Sequence, residues 1–290
     1  MRVAELLGVG LAVLAAVANA GGSVLQRIAS RNRRATGSWA SVRELLARPT
    51  WTAGILAHVG GFVAQGAALG HAQISLVQPL LLLELPLTLV LSATVFRTAL
   101  PRRSWASVGI MVVGLALFLY ALTPSPGRPD RTPGWAWLGG IVASTAVIVV
   151  AAVFARRRRS HHRAAWFGVA AGATYGLNAA LIAGAVVGLG GGLLGLLSTW
   201  QTYGVLVGGT VSFVLLQQAL QAGDLVAAQP GITLTNPVLA LGWGFVAFGE
   251  RPAPWPWPAV ALLGAAAVAA GAVGLARTAL PALSEPVAVG

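Results

Sequence analysis

Residues 76–86 read LVQPLLLLELP, and residues 227–237 read AAQPGITLTNP. The first stretch carries one charge, Glu84, one amide, Gln78, and two prolines, Pro79 and Pro86, in a run that is otherwise Leu and Val. A helical proline lacks an N–H and crowds the carbonyl four residues back. Inside an apolar helix that defect is tolerated where neighbouring helices satisfy the freed backbone, as they do in a membrane. Under a shift of 151 positions the second stretch falls on the first, with Gln78-Pro79, Leu83 and Pro86 meeting Gln229-Pro230, Leu234 and Pro237. The match extends without a gap to Phe62-Val63 on Phe213-Val214, Ala68-Leu69 on Ala219-Leu220 and Pro101 on Pro252. Between 62 and 86 eight of twenty-five positions are identical, against roughly three for chance self-similarity in so biased a composition. The chain is a duplication.

The surrounding sequence sets the solvent in which this duplication folds. Of 290 residues 57% are apolar and 9% charged, whereas a soluble domain has roughly 45–50% and about 25%. Apolar stretches long enough to cross a hydrocarbon core of about 30 Å recur throughout. They predict spans near 4–27, 51–70, 72–96, 105–122, 134–155, 166–188, 202–221, 225–248 and 258–276. The predicted fold class is an all-α membrane protein of about nine transmembrane helices. Residues 1–125 form a first four-helix repeat, 126–160 a connecting helix, 161–280 a second four-helix repeat and 281–290 a C-terminal tail. With one unpaired helix between the repeats, the second must enter the membrane from the opposite side, so the repeat is inverted. Such repeats recur in secondary transporters, where interrupted helices form a midplane site.

All nineteen basic residues are arginine, and the formal net charge is +12. With the N-terminus outside and the C-terminus inside, fifteen of the nineteen lie in cytoplasmic segments, leaving Arg2, Arg128, Arg131 and Arg251 outside. The positive-inside rule therefore fixes the orientation, and it explains the charge better than a nucleic-acid partner does. Trp39, Trp51, Trp105, Trp135, Trp137, Trp166, Trp200, Trp255 and Trp257 fall near span ends, where an indole prefers the headgroup level, and Trp243 alone lies inside a span. Ala18-Asn19-Ala20 imitates a signal-peptidase site, yet this segment has a counterpart later in the chain and is expected to remain as a span. Residues 37–48 read either as a short interfacial helix or as a solvated loop. The absence of lysine and the wealth of Arg and Ala point to a high-GC bacterial genome and its cytoplasmic membrane.

The apolar Gln-Pro run at 76–86, the Arg-bearing loop after it and the Gly-rich helix at 105–122 resemble the drug/metabolite transporter superfamily with its EamA-type repeats. The nine-span layout is similar to the NIPA-like magnesium transporter branch. The resemblance covers nearly the whole chain. It implies a carrier of small solutes or, in that branch, of magnesium. The chain departs from the four-helix small multidrug carriers of similar repeat size, which place a carboxylate in the first helix, where this chain has none at depth.

Glu84 is the one acid near the middle of a predicted span, and a charge there costs on the order of 2.5–3.5 kcal/mol on insertion scales. Its functional reading is to exchange a proton, bind a cation or pair with a cationic substrate; its structural reading is a protonated side chain bonded to a kinked backbone. Pro79 and Pro86 free the carbonyls of Ser75 and Leu82, and Pro230 and Pro237 free those of Val226 and Thr233, so both helices are expected to be bent or broken, or kinked for packing alone. Gln229, Thr233 and Asn236 share one helical stripe, whereas Gln78 and Glu84 stand about 120° apart. Asn19, Tyr175 and Asn178 complete the candidate substrate-binding and coupling set, and Asn19 meets Asn178 if the first linker is longer. Gln26, His58, Gln65 and Gln217 also face inward, each as readily a helix-to-helix link as a contact with substrate.

Gly168, Gly172, Gly176, Ala180, Gly184, Gly188 and Gly192 recur every fourth residue and predict close approach of a neighbouring backbone. The GxGxxG pattern at Gly190–Gly195 lacks a strand before it and is not read as a nucleotide site. With no cysteine, thiolate metal sites, disulfides and cysteine nucleophiles are excluded. No nucleophile–base arrangement stands out, so no enzyme activity and no cofactor are expected, and a metal only at Glu84 if a cation is carried.

Three functions remain open. One is a transporter moving a small metabolite or drug-like solute by alternating access. The second is a magnesium transporter, for which one carboxylate with Gln, Thr and Asn is a sparse ligand set. The third is a non-transporting membrane subunit or lipid-carrier partner. The expected partners are membrane lipid and a small-molecule or cation substrate, with the chain a monomer or homodimer.

Overall fold

The structure is a computed structural model that describes residues 3–30, 48–157, 160–222 and 225–284. The predicted interfacial segment at 37–48 lies, but for Arg48, outside the described residues. The helices are α1 (Val3–Ser30), α2 (Pro49–His71), α3 (Ile74–Leu80), α4 (Glu84–Phe96), α5 (Arg102–Leu122), α6 (Gly134–Arg157), α7 (Ser160–Val187), α8 (Gly192–Ser198), α9 (Trp200–Ala222), α10 (Leu225–Gly242) and α11 (Trp257–Ser284). A 3₁₀ turn at Leu81–Leu83 joins α3 to α4, and a π-helical turn at Trp243–Ala247 extends α10. Counting α3–α4 as one, eight helices are long and apolar enough to cross a membrane. The eighteen-residue α10 with its π turn completes nine among the described residues. The chain is an all-α membrane protein.

Small residues decide how these helices pack, because lipid gives apolar surfaces little reason to associate and close van der Waals approach must supply the attraction. α1 and α2 cross antiparallel, with Gly22 against His58, Gly54 against Gln26 and Gly61 against Asn19. α7 and α9 repeat the arrangement in the second half: Leu181 meets Gly204 and Asn178 meets Gly208. The fourth helices of the two halves, α5 and α11, pack on each other, with Ser107 at Gly274, Met111 at Gly271 and Phe118 at Gly264. Positions rise along α5 as they fall along α11, so the equivalent helices run in opposite directions. That is the inversion.

α6, the connecting helix, packs on α7 and on the π turn, where the Trp243 indole N–H donates to Ser144 Oγ at 3.0 Å. Trp137 lies at 5.2 Å from Trp243, 5.3 Å from Trp200 and 5.5 Å from Phe248, ring centre to ring centre. It is buried, not a headgroup anchor as its place near a span end suggested, because it fills the space that Gly184 leaves open. Trp135 and Trp255 stay exposed at span ends, as an interfacial belt requires.

Two ends of the bundle follow from chain direction. End A gathers Val3, residues 71–74, the loop 123–133, residues 187–200 and the turn 248–256. End B gathers Ser30, Pro49, residues 96–102 and the start of α7.

Candidate functional site

Glu84 opens α4 directly after the 3₁₀ turn. Pro86 cannot donate to Leu82, and the chain tightens there, so the Glu84 N–H points to the carbonyls of Leu81 and Leu82 instead. The break thus lies immediately before the one carboxylate at depth. Asn19 of α1 hydrogen-bonds the Glu84 side chain. Asn19 Oδ1 lodges against Gly61, where a Cβ would collide with it, which leaves the amide nitrogen as the end that donates to the carboxylate. Tyr175 of α7 stands within electrostatic reach of Glu84. All three side chains are half-buried. Glu84 therefore lies near residues of both halves.

The other predicted residues are placed differently. Gln229 Nε2 donates to Thr233 Oγ1 at 3.3 Å, so the polar stripe on α10 is bonded within itself. Asn236 lies on the same stripe, with its backbone carbonyl over Gly176 and its Oδ1 buried without a partner. Asn178 faces α9 and donates to Ser212 Oγ at 3.4 Å. Gln78 is 1% exposed, and neither its Nε2 nor its Oε1 finds a hydrogen-bond partner. Burying an amide in this way costs about 1–3 kcal/mol.

The second Gln-Pro helix is not interrupted at its prolines. α10 carries Pro230 and Pro237 inside a continuous helix, and its irregular turn comes at Trp243–Ala247. The reason is its partner. Gly168, Gly172 and Gly176 of α7, one per turn, sit on the α10 backbone at Ala228, Ile232 and Asn236, so the glycine row supports α10 through both prolines. α1 offers α3 and α4 alanines and Asn19, not such a row.

Glu250 was not among the residues that the sequence singled out. Its carboxylate is 3% exposed and accepts the N–H of Ile74 at 3.0 Å and of Ser75 at 3.3 Å. Burial pushes its carboxyl above the ordinary range, while bonds from Ser75 and Ile74 pull it down. A residue of the second half thereby holds the start of the broken helix in the first. Gly249, at φ +70°, makes the turn that aims it. The signal in sequence was faint: an acid in a Pro-flanked turn, 176 residues from its partner.

Around this contact end A encloses a cavity of about 490 Å³, lined by Glu5, His71, Gln73, Asp130, Phe248 and Glu250 among others. Gln73 Nε2 donates to Glu5 at 2.9 Å. The loop 123–133 closes over it through Ser125 N–H to the Arg251 carbonyl at 2.8 Å, Arg128 N–H to Phe248 at 2.9 Å and Ala253 N–H to Leu122 at 3.2 Å. Among the described residues no three His, Cys, Asp or Glu side chains converge as a metal site.

The chain is 29% identical over 253 residues to an uncharacterized protein of Corynebacterium glutamicum, with 85% of this chain and 86% of that protein covered. No family model matches the chain. No solved structure matches it.

Proposed function

We propose that this protein is a secondary transporter of the bacterial cytoplasmic membrane that carries a small organic solute by alternating access between its inverted halves. The observation that carries the reading is the placement of Glu84 just after a helix break, bonded by Asn19 of one half and within electrostatic reach of Tyr175 of the other. An ionisable group at membrane depth marks a solute or proton path by default. The carboxylate binds an ammonium or a proton, the Tyr175 hydroxyl and Asn19 amide orient a polar solute, and Gln78 supplies a donor and an acceptor that the folded chain leaves unpaired. Proton exchange at Glu84 is the coupling step.

The described arginines of end B, Arg27, Arg48, Arg97, Arg102, Arg103, Arg156, Arg157, Arg163 and Arg277, outnumber Arg128, Arg131 and Arg251 at end A. End B accordingly faces the cytoplasm. A bacterial relative matched over 85% of this chain supports a bacterial membrane. The resemblance to drug/metabolite carriers supports the same reading. Its magnesium branch fits less well, because magnesium holds its water and wants several oxygens, whereas one carboxylate stands at this site.

Proteoliposomes decide between them. Magnesium uptake reported by an internal dye is compared for the wild-type chain, Glu84→Gln and empty vesicles, beside counterflow of labelled organic solutes. Solute exchange lost in Glu84→Gln supports the carrier. Magnesium flux lost in the same variant moves the reading to the ion, and no flux of either kind leaves a non-transporting membrane subunit.

A further inference from the structure

The two ends of the bundle are tied by different chemistry. At end A the Glu250 carboxylate of the second half holds the N–H groups of Ile74 and Ser75 in the first. Gly127 and Gly244 press on that side chain from both sides, with no room for a Cβ at either position. The Arg251 N–H adds a bond to Ser125 Oγ at 3.0 Å. At end B, among the described residues, the two halves are joined by a neutral pair, Ser104 Oγ donating to Thr278 Oγ1 at 3.1 Å.

The internal repeat sharpens this contrast. Under the shift of 151, Ile74 and Ser75 fall on Leu225 and Val226, which begin the equivalent helix at the opposite end, and Glu250 falls on Ala99. Ala99 is exposed, and its methyl group can accept no hydrogen bond. A perfectly symmetric inverted repeat would carry the same carboxylate at both ends; among the described residues it stands at end A, and the position that Glu250 falls on carries none.

We propose that Glu250 is the pin of a gate at end A that holds the bundle shut on that side and makes the protein rest accessible from end B. The inference rests on the alternating-access reading and adds to it which end opens with difficulty. Opening end A requires the Glu250 carboxyl group to leave two backbone donors in a dry, packed site, and buried donors left without an acceptor are costly. Closing it needs no partner from outside the chain. The Glu84 site lies deeper than the cavity that the pin borders, so release of the pin controls traffic between that site and end A.

The chain has no cysteine, so single reporters go directly into the native sequence. Ala183 is 4% exposed and lines the end-A cavity; Gly190 is exposed at the same end. Ala183→Cys in proteoliposomes is labelled with a membrane-impermeant maleimide, alone and combined with Glu250→Ala, Glu250→Gln or, at the repeat-equivalent position, Ala99→Ser; Gly190→Cys is the control. Glu250→Ala raises the Ala183→Cys labelling rate on the order of ten- to a hundredfold, Glu250→Gln raises it less because its carbonyl keeps one N–H, and Ala99→Ser leaves it unchanged. Labelling at the parental rate in both Glu250 variants overturns the pin. If Glu250→Ala loses its cooperative melting transition, Glu250→Gln alone decides, by the same comparison. Tyr175→Cys tests the underlying reading separately: a site that never becomes reachable from both ends sinks alternating access, whatever the Ala183 result says about the pin.

Discussion

The α3–α4 helix and α10 begin from the same motif and end as different objects. Both carry Gln-Pro near the start and a second proline seven residues on, at Pro86 and Pro237. The first gives way to a 3₁₀ turn at Leu81–Leu83 before Glu84. The second continues as a helix, supported by the glycine row of α7. A proline removes one hydrogen bond and adds one clash wherever it stands; whether the helix yields there depends on what is packed against it. Duplication supplied two copies of a weak point, and the partners made one of them a candidate site and the other a strut.

Four experiments test that contrast, in order of expected effect. Gly172→Leu places a side chain where the α10 backbone at Gly231 and Ile232 already lies, and overpacking of that kind costs about 3 kcal/mol. Loss of monodisperse protein, or a large drop in Tm, is expected, while Gly10→Ala, with open space around it, melts like the parent. A Gly172→Leu variant of unchanged Tm breaks the claim that α7 supports α10.

Glu84→Gln is expected to fold with nearly parental stability and to lose pH-dependent transport, measured as solute exchange across a series of pH values. Full activity with an unaltered pH profile removes Glu84 from coupling. Pro86→Ala restores a donor at the break and should stabilise the α3–α4 helix by about 1 kcal/mol, seen as a higher Tm, while slowing exchange because the carboxylate is drawn away from Asn19. Pro237→Ala should stabilise similarly with little change in exchange. Equal functional losses in the two variants dissolve the distinction between site and strut.

The smallest effect concerns Glu250. Its folded-state carboxyl is raised by burial, so between its ordinary value and the raised one the folded chain holds a proton that the unfolded chain releases. Stability from this group is present at low pH and lost as pH rises through the raised value. The Tm of Glu250→Gln, which cannot titrate, should lack that share of the slope. Parallel Tm–pH curves for the variant and the parent overturn the assignment.

Much of this was legible in the residues. Spans follow from runs of apolar side chains, inversion from the odd helix between two copies, and Glu84 from being the one acid among leucines. The glycine row of α7 announced a close neighbour. It did not say which, and the neighbour turned out to be α10, which crosses it in parallel although the two are not consecutive. Trp137 read as an interfacial anchor because its position near a span end is all that a sequence displays; the space over Gly184 that buries its ring comes from another helix.

The amino-acid sequence by itself determined that the chain lives in lipid, about how often it crosses, that its halves are inverted and where the lone charge at depth resides. These are properties of hydropathy and self-similarity, which are local or additive along the chain. Tertiary structure alone decided that Asn19 and Tyr175 lie near Glu84, that the 3₁₀ turn comes before Pro86 with no equivalent before Pro237, and that Glu250 fastens one half to the other. Each depends on residues far apart in sequence, chosen by which surfaces come close enough to exclude lipid and water, and no window along the chain encodes that choice.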